Sequence, residues 1–189
     1  MTDPDLILAG YVLTVPADAP PGLSSLPDQI LTISDCIMDA LPRPEFWDWF
    51  QTLSDAELAC SSSATHAQIT SVAMRIEDAG LLMDAMGGSQ QPCFDTLSQH
   101  LPFDDEVLGY EVVGAEHSLD FHSWHCHAYA DEVHDALHIQ VNHLGLLVTY
   151  SDAGRVLEWM LARPTREAPK LVPWAVVALG AAIDNAQIH

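Results

Sequence analysis

Seven histidines crowd one stretch of the chain: His117, His122, His125, His127, His134, His138 and His143. Neutral imidazole is the commonest transition-metal ligand, so a metal centre is the first chemistry such a cluster suggests. The string His134-Asp135-Ala136-Leu137-His138 copies the spacing of the zinc-peptidase motif H-E-x-x-H, with Asp in place of Glu. On a helix His134 and His138 would stand one turn apart, and His127, His143 or a carboxylate would complete a ligand set for a metal-dependent hydrolase. The shorter Asp does not reach the water position that Glu serves, and the sequence dictates no third ligand. A solvated helix face on which His stands in for missing Lys and Arg accounts for the same residues without metal, and no cofactor is expected. Surrounded by carboxylates, these imidazoles should take up protons readily near about pH 6.

The tighter string Phe121-His122-Ser123-Trp124-His125-Cys126 offers two nucleophiles, Cys126 with a neighbouring His or Ser123 with His122. Residues adjacent in sequence rarely make that geometry, because a catalytic base usually comes from another element. No serine lies in a G-x-S-x-G elbow. Phe121 and Trp124 read as core or interface anchors. Gly87-Gly88 continues as Ser-Gln-Gln-Pro rather than Gly-Lys-Ser/Thr, and no G-x-G-x-x-G occurs, so the sequence shows no phosphate cradle.

Charge narrows the partners. The chain carries 27 Asp and Glu against 6 Lys and Arg, a formal net charge of -21 over 189 residues. Charged residues are only 17% of the chain, below the roughly 25% of an average domain, so bases have been removed more than acids added. No Lys or Arg occurs between Arg75 and Arg155. Such a surface repels nucleic acid and anionic membranes and attracts cationic proteins. Halophilic adaptation also trades Lys for carboxylates, but a 49% hydrophobic chain without great acid enrichment fits it less well. The acids placed to meet a basic partner are Asp104, Asp105 and Glu106, then Asp120, Asp131 and Glu132, with Trp124, Trp47 or Trp49 as a central anchor.

The length suits one domain with a substantial core. The start, Met1-Thr2-Asp3-Pro4-Asp5, lacks a positive n-region, and Cys36, Cys60, Cys93 and Cys126 form no C-x-x-C pair. Reduced thiols in a bacterial cytoplasm are the expectation. Leu6–Val15 reads as a buried strand, Gln29–Ile33 as a short one, and Cys36–Leu41 as a helix capped by Ser34-Asp35. Ser54-x-x-Glu57 reads as a capping box, and Thr65–Met86 as the clearest helix, capped by Thr65-x-x-Gln68 and ended by Gly87-Gly88. Strands are predicted at Glu106–Glu116 and Leu144–Tyr150, with helices at Ala128–His138 and from Ser151-Asp152 to Leu161. Leu171–Ile183 is apolar but short of the roughly 20 residues that span a bilayer, and reads as a buried helix. The class is α+β: a small mixed sheet packed by several helices, with a mostly helical part over 1–88 and a β-α-β-α part over 104–189.

Leu108-Gly109-Tyr110-Glu111-Val112-Val113-Gly114, followed by Phe121-His122-Ser123-Trp124-x-Cys126, resembles a group of poorly characterised bacterial proteins. These pair an L-G-[FY]-E-V-x-G strand with an F-H-S-W-x-C turn, then a helix, an N-x-x-G-L loop and a final helix. Asn142, Gly145 and Leu146 match that loop, and Ile33-Ser34-Asp35-Cys36-Ile37 resembles their N-terminal element. The resemblance covers half the chain and implies cytosolic proteins similar to immunity proteins of bacterial toxin systems, with no catalytic residues. His125 and His127 fall outside the pattern. Charge and resemblance together predict a binding protein that neutralises a basic partner, such as a cognate toxin, without catalysis.

Overall fold

The computed structural model describes residues 5–38, 49–62, 67–87, 92–116, 121–127, 129–163 and 172–182. Nine residues from Leu6 to Thr14 form β1, and the short β2 (Ala17–Asp18) and β3 (Gln29–Ile30) make a separate two-stranded ribbon. Helices α1 (Asp35–Met38) and α2 (Leu53–Ser62) precede β4 (Gln68–Arg75), which runs directly into α3 (Ile76–Ala85). After α4 (Pro92–Leu97) come β5 (Glu106–Ala115), β6 (Phe121–Ser123), a single 3-10 turn (Trp124–His127) and α5 (Ala130–Leu137). The chain continues through α6 (Tyr150–Leu161) to β7 (Trp174–Ala181).

Five strands form one sheet in the order β1-β4-β7-β5-β6, and every pairing is antiparallel where a mixed sheet was expected. The α+β class holds. Two sequence assignments inside it do not. Residues 68–75 were expected to lie in a helix and 174–181 in another, and both are strands. The parts 1–88 and 104–189 share this sheet, because β4 pairs with β7. Residues 144–149 are a loop rather than a strand, held to β5 by the paired backbones of Tyr110 and Leu147 at 2.8 and 2.9 Å.

Alternate residues of the central strands enter two cores. Val72, Met74, Val113, Val177 and Leu179 pack with α3 and α4 through Leu82, Phe94 and Leu97. Ala73, Val112, Val176 and Ala178 pack on the opposite face with α5 and α6 through Val133, Val156 and Met160. Both faces of the sheet are therefore covered, and its middle strands are apolar throughout.

Caps fix the helix starts. The box at α2 lies two residues earlier than expected: Asp55 N donates to Thr52 Oγ1 at 3.2 Å and the Thr52 hydroxyl donates to Asp55 Oδ2 at 2.6 Å. At α6, Thr149 rather than Ser151 is the cap, its Oγ1 accepting the Asp152 N–H at 3.1 Å. Thr149→Ala should lower stability by about 1 kcal/mol, read as a drop in urea midpoint at constant m.

Gly10 sits at a β-bulge with φ +139, and a Cβ there would come within 2.1 Å of Trp49 Nε1. Its missing side chain lets the Trp49 indole lie over β1 and donate to the Ala9 carbonyl at 2.7 Å. Among the described residues no helix is long and apolar enough to cross a membrane.

Candidate functional site

The three strings that carry the sequence resemblance meet in one place. Glu111 lies mid-strand on β5 with 0% exposure, on the face shared by Val113 and Ala115. The Thr32 hydroxyl donates to Glu111 Oε1 at 2.5 Å and the Ile33 N–H donates to Oε2 at 3.1 Å. Burial pushes the Glu111 carboxyl above its ordinary value, against the opposing hydrogen bonds of Ser123, Thr32 and Ile33.

From β6 onward the turn joins the same network. The His125 N–H donates to Ser123 Oγ at 3.2 Å, and the Ser123 N–H points at Cys126 Sγ at 3.3 Å. Cys126 Sγ and Ser34 Oγ share a hydrogen bond of 2.9 Å. The His125 ring is buried, its Nε2 lying 3.1 Å from the Gly145 carbonyl. That carbonyl belongs to the N-x-x-G-L loop, where Asn142 Oδ1 accepts the Leu144 and Leu146 N–H groups at 2.9 and 3.1 Å and Asn142 Nδ2 donates to the Leu108 carbonyl at 2.8 Å. Gly145 closes the loop at φ +75, where a Cβ would strike Ile30 at 2.5 Å.

Thr32, Ser34, Glu111, Ser123 and His125 are all 0% exposed. Closed to substrate, this network ties the loop at 30–34, two strands and the 142–146 loop into one geometry. Its hydrogen bonds are those of a rigid core. Of the residues considered as nucleophile and base, Ser123 is buried beside Glu111, and His122 Nε2 lies 2.5 Å from Glu116 Oε1. Burial also lowers the His125 pKa to about 4, so this imidazole is neutral near pH 6, contrary to the expectation from its acidic surroundings.

The residues expected to meet a partner divide. Asp104 and Glu106 are exposed and Asp105 half-buried at the entry to β5. Asp105 adds its charge to burial in raising the Tyr11 phenol. Asp131 serves the fold: its carboxylate accepts the Ser24 and Ser25 N–H groups at 3.1 and 2.8 Å, and bonding from Ser25 and Ser24 holds it down at about 2. Glu132 is exposed and pairs with Arg163 at 2.9 Å. Trp124 is 1% exposed inside the α5–α6 core, so its ring offers no surface to a partner and the anchor role is corrected to a packing role. Asp120 lies outside the described residues.

Of the alternative metal set, only His134 lies within a described α-helix. Helix α5 ends at Leu137, and His138 follows as an exposed left-handed cap at φ 56 rather than as a helical residue. His134 Nδ1 lies 3.4 Å from the Ile139 carbonyl, and the His127 side chain is outside the described atoms. Among the described residues no three His, Cys, Asp or Glu groups converge on a metal position.

A cleft missed by the sequence reading opens beside the buried network. It is lined by Val12, Leu13, Ile33, Asp35, Trp49 and Phe121. Val12 and Leu13 lie near the end of β1 and Phe121 at the start of β6, at diagonally opposite corners of the sheet. Accumulated strand twist lifts such corners toward one face. The Trp49 and Phe121 rings stand 5.3 Å apart at 30°, and Asp35 Oδ2 accepts the Phe121 N–H at 2.5 Å. A carboxylate at the head of a helix and a Trp on the facing loop were the available signals, but nothing local in sequence links positions 35, 49 and 121.

Compared with protein-family models, curated proteins and solved structures, the chain matches none.

Proposed function

We propose that this protein binds and neutralises a basic protein partner through its acidic surface, in the cytoplasm and without catalysis, as toxin-immunity proteins do. The observation that supports this reading is the fate of the cations. Arg75 lies over the Tyr150 ring at 3.6 Å, Arg155 bonds Asp152 and the Leu137 carbonyl, and Arg163 pairs with Glu132 while lying over Tyr129 and Trp159. Every base among the described residues is thus engaged within the fold. The exposed carboxylates at Asp104 and Glu106 face solvent in a chain of formal charge -21. Such a surface accelerates encounter with a cationic protein and selects the sign of what it meets.

Affinity purification from the native cells should retain a basic protein. Its association should slow as salt rises, because charge steering is screened over about 8–10 Å at physiological salt. Reversing Asp104 and Asp105 to Lys together should slow association about tenfold at low salt and flatten the salt dependence. An association rate unaffected by salt and by both reversals defeats the reading, as does recovery of an acidic partner.

A further inference from the structure

We propose that the outer face of α3 docks a basic amphipathic helix of the partner, with apolar side chains on Ile76 and Leu81 and cations on Glu77 and Asp84. The inference rests on the acidic-binder reading and gives that surface an anchor. Of the six large apolar side chains exposed among the described residues, two belong to this ten-residue helix, Ile76 at 42% and Leu81 at 70%. Single exposed apolar residues are ordinary on a protein surface, but two on one helix face beside acids have the make-up of an interface.

Helical geometry puts them together. At about 100° per residue, Ile76, Glu77, Gly80, Leu81 and Asp84 fall within about 140° of arc, and all five are exposed. Glu77 and Asp84 run along the middle of that arc, with Ile76 and Leu81 at its margins. Gly80 leaves the backbone bare between them, and a Cβ there would meet no atom within 4 Å. A bare step of this kind lets a second helix approach closely. The opposite side of α3 is fixed in the core by Ala79, Leu82 and Met86, so the outer face is preorganised.

Asp84 supplies the sign of the occupant. It lies in the last turn of α3, where the helix dipole is negative and a carboxylate is unfavourable, and that turn holds no basic residue. Among the described residues neither Glu77 nor Asp84 has an ion-pair partner. Arg75, just before the helix, is engaged over the Tyr150 ring at 3.6 Å. A cation brought by a partner would answer both the carboxylate and the helix end. The other exposed leucines on helices have different surroundings. Leu58 of α2 follows Asp55, whose carboxylate serves the helix start through Thr52, and Leu161 of α6 is two residues from the cation Arg163.

The test titrates a helical leucine–lysine peptide of about four turns into the full-length, nitrogen-15-labelled protein, with the leucine–glutamate peptide as control. Amide shifts should saturate and centre on Ile76–Ala85. Leu81→Ser should weaken binding about tenfold, and Leu58→Ser should leave it within about twofold. Asp84→Lys should also weaken binding about tenfold while raising the urea midpoint, because a cation suits that helix end. A merely structural Asp84 would not move the two in opposite directions. Shifts centred away from α3, equal affinity in Leu81→Ser or in Asp84→Lys, or a lowered midpoint in Asp84→Lys overturn the site. If the lysine peptide binds elsewhere with strong salt dependence, this face is wrong and the acidic-surface reading stands. Equal binding of the glutamate peptide on α3 has the opposite meaning: the face docks a helix and the acidic-surface reading fails.

Discussion

Replacing Trp124 with alanine should remove about 3–5 kcal/mol of stability, enough to unfold a marginal domain at growth temperature. The indole is fully enclosed in the core under α5 and α6, in the 3-10 turn that carries the chain from β6 into α5. Its loss opens a void bounded by three elements that cannot all collapse together. The ring also stands 4.4 Å from the His125 imidazole, so the polar network loses a wall. Its Nε1–H has no hydrogen-bond partner among the described residues, which makes the contribution one of packing rather than polar bonding. Trp124→Phe should therefore cost clearly less than Trp124→Ala. Urea unfolding of both variants, compared at constant m, reads the difference. An alanine variant of unchanged midpoint that has lost its partner would put the ring at the interface instead.

Glu111→Ala should be the second large loss, on the order of 3 kcal/mol or more. It leaves the Ile33 N–H and the Thr32 hydroxyl facing a void, at about 1–3 kcal/mol for each buried unpaired group. Glu111→Gln keeps the shape and isolates the titration. Because burial raises the Glu111 pKa, the folded protein retains a proton that the unfolded chain releases around its ordinary value of 4.5. The folded state then binds more protons, so this contribution is fully present below that value and is lost as pH rises through the folded pKa. His125 works in the opposite sense: its folded pKa is about 4 against an ordinary 6.5, so stability falls as pH drops through that interval. Glu111→Gln should abolish the decline toward higher pH and keep the decline toward acid. Denaturant midpoints measured from about pH 4 to pH 8 test this, and an unchanged profile in the Gln variant removes Glu111 as its source.

Helix α5, with its apolar positions at helical spacing, was legible in the sequence, as were strands β1 and β5, although both strands bury side chains on their two faces. Strands β4 and β7 were not. In β4, Ile69 through Met74 are all buried, and in β7 the same holds for Ala175 to Gly180, so neither strand shows the period-two alternation that distinguishes strand from helix. Thr65-x-x-Gln68 then supplied a cap-like signal with no helix behind it. Part of the candidate site was hidden for a related reason. Glu111 stood in the sequence only as one position of a strand pattern, although it shares strand parity with Val113 and Ala115, both in the core. That parity was the available clue. The partners of Glu111 at 32, 33 and 123 are long-range and leave no local pattern.

The order β1-β4-β7-β5-β6 puts the latest of its strands to be made at the centre of the sheet. As the chain leaves the ribosome, β1 and β4 can zip into one ribbon and β5 and β6 into another, each exposing an apolar open edge. No strand joins the two until Trp174–Ala181 emerges to fill the gap between them. A nascent chain stalled before that point carries two sticky edges at once, a hazard for association with its neighbours on the same message. The shortage of lysine and arginine then acquires a second meaning. With some fourteen carboxylates and no cation between positions 76 and 154, unfinished copies repel one another during the interval in which the sheet is still in halves.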